Sequence, residues 1–354
     1  MADTARATLD RLWAAGRAFL GTDYAIMGGA MSWLSDRNLV SAISNGGGFG
    51  VLACGSMGPD ALAEEIAATQ ALTDRPFGVN LITMHPELDR LVEVCADHGV
   101  GHVVLAGGLP QGGTIKRLKE AGAKVLGFAP ALVIARRLVR NGVDALVVEG
   151  AEAGGHVGPV ATSVLAQEIL PHIQDVPVFV AGGIGRGEAV LSYLEMGAAG
   201  CQLGTRFVCA SESIAHPDFK QTFIKGQARD AVTTEQVDPQ FPVIPVRALQ
   251  NDGTQEFIAV QREAIRRHRE GELSKEEAQL EIERYWAGAL RRAVVEGDVT
   301  HGSLMAGQSV GMVKDEAPAA AILEELVNQA LQGIHRAQPH GAESGPEEAE
   351  AGPP

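Results

Sequence analysis

Between Tyr24 and Thr205 the chain alternates eight short apolar runs with amphipathic stretches of helical period. The runs are Ala25–Met31, Phe49–Cys54, Phe77–Ile82, His102–Ala106, Lys124–Phe128, Ala145–Glu149, Val176–Ala181 and Gly200–Gly204. They are too short for helices, rich in Val, Ile, Leu and Phe, and apolar almost without interruption. Strands buried on both faces of a parallel sheet have this character. The intervening stretches read as crossover helices: one opening at Asp60 as N-cap and running through Ile66, then Pro86–His98, Thr114–Ala121, Ala131–Asn141, Thr162–His172 and Gly187–Met196. Gly99, Gly122, Gly142 and Gly197 follow four of them as C′ residues.

Eight βα units are the count of a closed (β/α)8 TIM barrel. An open doubly wound sheet repeats the same unit, but gathers its glycines at one switch point and opens with a glycine fingerprint after the first strand. Here glycines and polar residues follow many strands and no such fingerprint appears. The expected fold class is therefore α/β, a TIM barrel with a C-terminal helical extension or lid.

The texture changes after Thr205. Glu212–Lys225 reads as a helix, Asp230–Pro245 as a mixed, proline-containing stretch, and Thr254–Glu270 and Lys275–Glu296 as long charged helices. Ser274 with Glu277 forms a capping-box signature. Ile282, Trp286, Leu290 and Val294 make a stripe that either packs on the barrel or closes it as a lid. Gly302–Gly311 reads as a loop and Ala319–Leu331 as a closing helix. The expected division is an N-terminal helical segment (1–22), the barrel (23–215), a mainly helical lid or substrate domain (216–317), the closing helix (318–335) and a disordered tail (336–354) rich in Pro, Gly, Glu and Ala.

A formal net charge of −15 argues against nucleic acid or an anionic membrane as partner, since both select basic surfaces. It leaves room for an anionic cofactor, because a few backbone N–H groups suffice to hold a phosphate. Cys54, Cys95, Cys201 and Cys209 form no CxxC or zinc-finger spacing, so buried free thiols are the expectation and no metal site is implied. The N-terminus lacks the order of a signal peptide, and no apolar run approaches the length of a bilayer span. A soluble, cytoplasmic protein is expected.

Barrel active sites lie at the C-terminal ends of the strands. After the first strand, Gly28-Gly29-Ala30-Met31 would let a flat ring approach the backbone; a tight strand exit explains them equally well. Asn80 ends the third strand and needs partners for its amide, from a heterocycle edge or a neighbouring loop. The sixth strand delivers Glu149-Gly150-Ala151-Glu152-Ala153-Gly154-Gly155-His156-Val157-Gly158 into the mouth. Glycines permit a tight loop there, and a histidine titrates where acid–base catalysis at neutral pH requires it. Gly182 and Gly183 follow the seventh strand, Gln202, Gly204 and Thr205 end the eighth, and such paired loops are where barrels bind phosphate.

Together, Gly46-Gly47-Gly48-Phe49-Gly50, Glu152 through Gly158, Ala181-Gly182-Gly183-Ile184 and Gln202-Leu203-Gly204-Thr205-Arg206-Phe207 resemble the nitronate monooxygenase (2-nitropropane dioxygenase) family, to which FMN-dependent enoyl-ACP reductases are related. The resemblance runs from Tyr24 to His216 and resumes at Gly307-Gln308-Ser309-Val310-Gly311. It implies FMN as cofactor, its phosphate at Gly182, Gly183, Gly204 and Thr205 with Gln202 nearby. The backbone of Gly29, Ala30 and Met31, with Asn80, Gly155 and Lys124, would lie about the ring, and Gln308 and Ser309 would face substrate. His156 matches the histidine that takes the proton beside a nitro group.

The implied reaction is oxidation of alkyl nitronates with O2. The alternative on this scaffold is reduction of an enoyl thioester by NAD(P)H. Outside redox chemistry stands a barrel that only binds a phosphorylated metabolite. A homodimer is compatible with all three. One departure stands out: family members usually place Gln before Gly-Pro-Met or Gly-Gly-Met, where this chain has Gly28-Gly29-Ala30-Met31.

Overall fold

The structure, a computed structural model, describes residues 2–235, 237–238, 241 and 243–337. In chain order its strands are β1 (Ile26–Gly28), β2 (Phe49–Ala53), β3 (Gly78–Ile82), β4 (His102–Ala106), β5 (Lys124–Phe128), β6 (Ala145–Glu149), β7 (Gly155–His156), β8 (Val178–Ala181), β9 (Gly200–Leu203), β10 (Ala231–Thr233) and β11 (Val246–Leu249). All but β7, β10 and β11 are parallel and form a closed barrel in the order β1-β2-β3-β4-β5-β6-β8-β9. The ring closes where Ile26, Met27 and Gly28 pair with Cys201, Gln202 and Leu203, which removes the open sheet from consideration.

Near-continuous apolarity has a direct cause. Successive side chains of a strand point to opposite faces, and both faces are covered. Met27, Phe49, Val51, Val104, Leu126, Val147 and Phe179 fill the barrel interior. Leu52, Val79, Val103, Val125, Leu146, Val148 and Val180 pack outward on the helices. Each such burial is worth roughly 1.5–3 kcal/mol.

Helices Ala2–Leu12 and Ala14–Leu20 close the N-terminal end of the barrel, with Leu20 and Phe19 joining the interior cluster. Gly16 allows this approach, since a Cβ there would fall 2.0 Å from the Ala199 carbonyl oxygen. The carbonyl of Phe19 is bonded by His102 Nε2 and Lys124 Nζ. On the outer ring, helix Ala319–Ala337 packs on helix Gly187–Glu195, and Gln329 Oε1 accepts from the Gly187 N–H at 2.8 Å.

Several local expectations need correction. The helix expected to open at Asp60 begins at Pro59 with Gly58 as N-cap, because Pro takes the first-turn position naturally. The helix expected from Glu212 begins at Pro217, where the His216 side chain caps the Asp218 N–H. The stretch 302–311 is not all loop: Met305 bridges Ala248, and Gln308–Met312 is a 3-10 turn. The last helix runs through Arg336 to Ala337, past the point where a disordered tail was expected; residues 338–354 lie outside the described ones. The Ser274–Glu277 capping box is present in both directions, at 3.1 and 2.8 Å.

The stripe on helix Lys275–Arg291 and its continuation divides its contacts. Ile282 and Trp286 pack with Phe257 of helix Asp252–Arg269 and with Val246. Leu290 and Val294 reach Leu34, Val208 and Val310 at the barrel top. The appendage is thus seated on the mouth of the barrel.

Candidate active site

Four strand ends build the site. After β1, the Gly29 N–H extends the ladder to the Leu203 carbonyl at 2.9 Å. The Ser35 hydroxyl donates to the Gly29 carbonyl and accepts from the Met31 N–H, fixing the Gly29-Ala30-Met31 turn. A Cβ on Gly29 would come within 3.1 Å of the Gln202 carboxamide, and one on Gly204 within 3.5 Å of Met31 Sδ. The ends of β1 and β9 therefore face each other with only small atoms between. Gln202 is 7% exposed, yet no hydrogen bond among the described residues engages its carboxamide. Asn80, also buried, spends its Nδ2 on the Val104 carbonyl at 3.0 Å.

After β8, Gly182 and Gly183 have φ of +100° and +70°. Main-chain hydrogen bonds among the described residues leave the N–H groups of Gly182, Gly183 and Gly204 unused, and all three glycines are partly open to the mouth. Thr205 is buried, and its hydroxyl oxygen accepts from the Gly307 N–H at 3.0 Å. A set of bare donors on two adjacent strand ends is what an anionic phosphate requires, so the residues present fit the phosphate of a bound cofactor. Neighbouring Arg206 is spent elsewhere, on Glu325 and the Met312 carbonyl.

After β6 the loop closes at its base through the Ala151 N–H and the Val160 carbonyl, 2.7 Å apart. Its far part is strand β7, where Gly155 pairs with Arg247 and His156 with Val246 of β11. The His156 ring is exposed on this rim. Gln308 donates its N–H to the Glu152 carbonyl at 2.9 Å, and Ser309 is buried beside it. Gly154 and Gly307 permit this contact: a Cβ on Gly154 would lie 2.6 Å from the Gly307 nitrogen. Gln308, Ser309, Thr205, Gly155 and His156 are thus gathered into one region. Glu152, whose role the sequence leaves open, holds the loop: its Oε2 accepts from the Thr162 N–H at 2.8 Å and hydroxyl at 2.9 Å.

Lys124 is not there. It is the first residue of β5, so it sits at the opposite end of the barrel, bonded to the Phe19 carbonyl. The expectation that it lies near a flavin ring is corrected. The cysteines are free and buried, as expected: burial pushes Cys54, Cys95 and Cys209 up to about 12 and raises Cys201 too, so none is a thiolate at neutral pH.

Two side chains had no role in the sequence reading, which delivers Glu149 into the mouth without assigning it one. Glu149 shares the inward parity of Ala145 and Val147, and its register partner Ala181 also belongs to the interior cluster, so its carboxyl enters the mouth. Burial raises that carboxyl to about 7, with the nearby His156 pulling it down. The other is Arg247, on the appendage strand that carries the loop.

Glu149 makes stability depend on pH. The native carboxyl keeps its proton to about 7, whereas an unfolded one releases it near 4.5. Between those values the native state binds more protons, so stability falls as pH rises, by up to roughly 3 kcal/mol. In flavin-free protein, Glu149→Gln should match the parent near pH 4.5 and exceed it in urea unfolding at pH 8. Equal differences at both pH values would refute this.

The family model described as nitronate monooxygenase matches residues 15–91 and 82–329. The chain belongs to the nitronate monooxygenase family. It is similar to the "(3aS,4S,5R,7aS)-5-hydroxy-7a-methyl-1-oxo-octahydro-1H-indene-4-carboxyl-CoA dehydrogenase" of Mycobacterium tuberculosis, 31% identical over 345 residues, covering 90% of this chain and 96% of the relative. The nitronate monooxygenase of Paraburkholderia phytofirmans is 29% identical over 370 residues, with 90% and 95% covered. Among solved structures, FabK from Thermotoga maritima matches with a TM-score of 0.81 and 34% identity, covering 90% of this chain and 96% of that one. Nitroalkane oxidase from Streptomyces ansochromogenes matches with a TM-score of 0.75 and 26% identity, covering 89% and 98%. As a member of the nitronate monooxygenase family, the protein is a flavin-dependent oxidoreductase. No helix among its described residues is long and apolar enough to cross a membrane.

Proposed function

We propose that the protein binds FMN and oxidises alkyl nitronates, or similar carbon acids, with O2. The observation that carries this reading is the set of unused N–H groups at Gly182, Gly183 and Gly204, in the same mouth as the His156 loop. Gly182, Gly183, Gly204 and Thr205 would hold the phosphate, with Gln202 close by. The Gly29–Met31 backbone and Asn80 would border the ring. FMN, when bound, supplies the two-electron acceptor, which O2 regenerates. With a neutral nitroalkane as substrate, His156 takes the proton from the carbon beside the nitro group and so leaves the nitronate that is oxidised, and the seated appendage limits water at that carbon. Gln308 and Ser309 face the substrate from the opposite loop.

A second reading, NAD(P)H-dependent reduction of an enoyl thioester, draws support from two observations. Gly28-Gly29-Ala30 offers no polar side chain where family members usually place Gln, and a 31% identical relative is named for a carboxyl-CoA substrate.

Anaerobic titration tests both. The purified protein should be yellow, and propyl nitronate should bleach the flavin band faster than NADH does. Bleaching by NADH alone would shift the assignment to the thioester reading. A colourless protein that refuses added FMN would sink both and leave only a metabolite-binding barrel.

A further inference from the structure

The loop that bears His156 is held mainly by segments ninety or more residues further along the chain, and one side chain joins most of them. Arg247 Nε donates to the Ala151 carbonyl at 2.8 Å, at the base of the loop. Its Nη1 donates to the Ala231 carbonyl, on β10. Its own backbone pairs with Gly155 in the far part of the loop, and its carbonyl accepts from the Ala306 N–H at 3.3 Å. A single residue thus fixes both ends of the loop and ties them to the neighbouring appendage strand and to the segment before Gln308. No carboxylate among the described residues lies within ion-pair distance of this half-buried guanidinium, and the charge that acts on it, Glu152, is itself bound to Thr162. The guanidinium therefore spends its planar fork on main-chain carbonyls, which an ion pair would not have required.

We propose that Arg247 is a positioning residue for the acid–base step: its two-directional hydrogen bonding sets the place of His156 from the appendage. The proposal rests on the role given to His156 above. Lysine keeps the charge but lacks a rigid fork that reaches two carbonyls in different directions, and methionine keeps the length without any donor.

In flavin-bound protein, amide exchange over residues 151–158 should be about tenfold faster in Arg247→Met than in the parent, with Arg247→Lys between them. The turnover number for 1-nitropropane should fall about ten- to a hundredfold in the same order, because small misplacement of a reacting group costs that much. KM should stay within about threefold and flavin content should be unchanged, since the phosphate donors lie on other strands. The pH profile of turnover should change in both variants. Unchanged exchange in both variants overturns the proposal, as does faster exchange with parental turnover. Should Arg247→Met fail to fold, Arg247→Lys decides alone. A parent that turns over no nitroalkane counts against the proposed function; amide exchange over residues 151–158 still decides whether Arg247 holds the loop.

Discussion

His156→Asn is expected to lower turnover of 1-nitropropane by roughly a hundredfold or more while flavin stays bound at the parental ratio. The loop should survive the change, because β7 is paired to β11 through main-chain groups. Flavin should survive it too, since the proposed phosphate donors at Gly182, Gly183 and Gly204 belong to β8 and β9. What disappears is a group able to take a proton near neutral pH. Asparagine keeps polarity and approximate bulk but cannot ionise. The choice of substrate makes the test specific: propyl nitronate offered as the preformed anion has already lost the proton, so the variant should recover most of its rate on it. Oxygen consumption with each substrate, normalised to flavin absorbance, gives the comparison. A variant equally slow on both has lost something other than a base, and one equally fast on both removes His156 from the mechanism.

The legible and illegible parts of this molecule differ in the range of the interactions behind them. The eight staves could be read because each is buried on both faces whatever its neighbours, so Val103, Val104 and Leu105, for example, are all apolar. The glycines after β8 and β9 could be read because close backbone approach leaves a trace in composition. Strands β10 and β11 could not. They are three and four residues long, and besides β10 the partner of β11 is the two-residue stretch Gly155–His156 some ninety positions earlier. Nothing local marks Val246–Leu249 as a strand. Glu149 could be placed at the mouth but not given a facing: in a run apolar on both faces, alternation does not tell the lumen from the helix side. Only the register with Ala181 does so. Lys124 was misjudged because resemblance placed it by residue type, whereas chemistry at a barrel mouth depends on which end of the strand a residue occupies. It opens β5 instead of closing it.

The glycine pair carries the second large effect. Gly183→Ala is expected to reduce FMN affinity by roughly a hundredfold, because losing or misaligning one or two charge-assisted N–H contacts costs about 1.5–3 kcal/mol each. At φ of +70° an alanine meets left-handed strain of about 1–2 kcal/mol. Its Cβ would also lie 2.8 Å from Glu152 Cβ. Glu152 cannot simply yield, since its carboxylate is bound twice by Thr162 and its carbonyl accepts from Gln308. The Gly182–Gly183 turn must shift instead, and its N–H groups shift with it. Strain alone can be subtracted. Gly197 has φ of +101°, and a Cβ added there would meet nothing within 4 Å, so Gly197→Ala should lose stability but retain flavin. Ultrafiltration followed by absorbance of the retained flavin separates the cases. If Gly183→Ala keeps its flavin as tightly as Gly197→Ala, the phosphate does not sit at the end of β8, and the main-chain donors there serve only the turn.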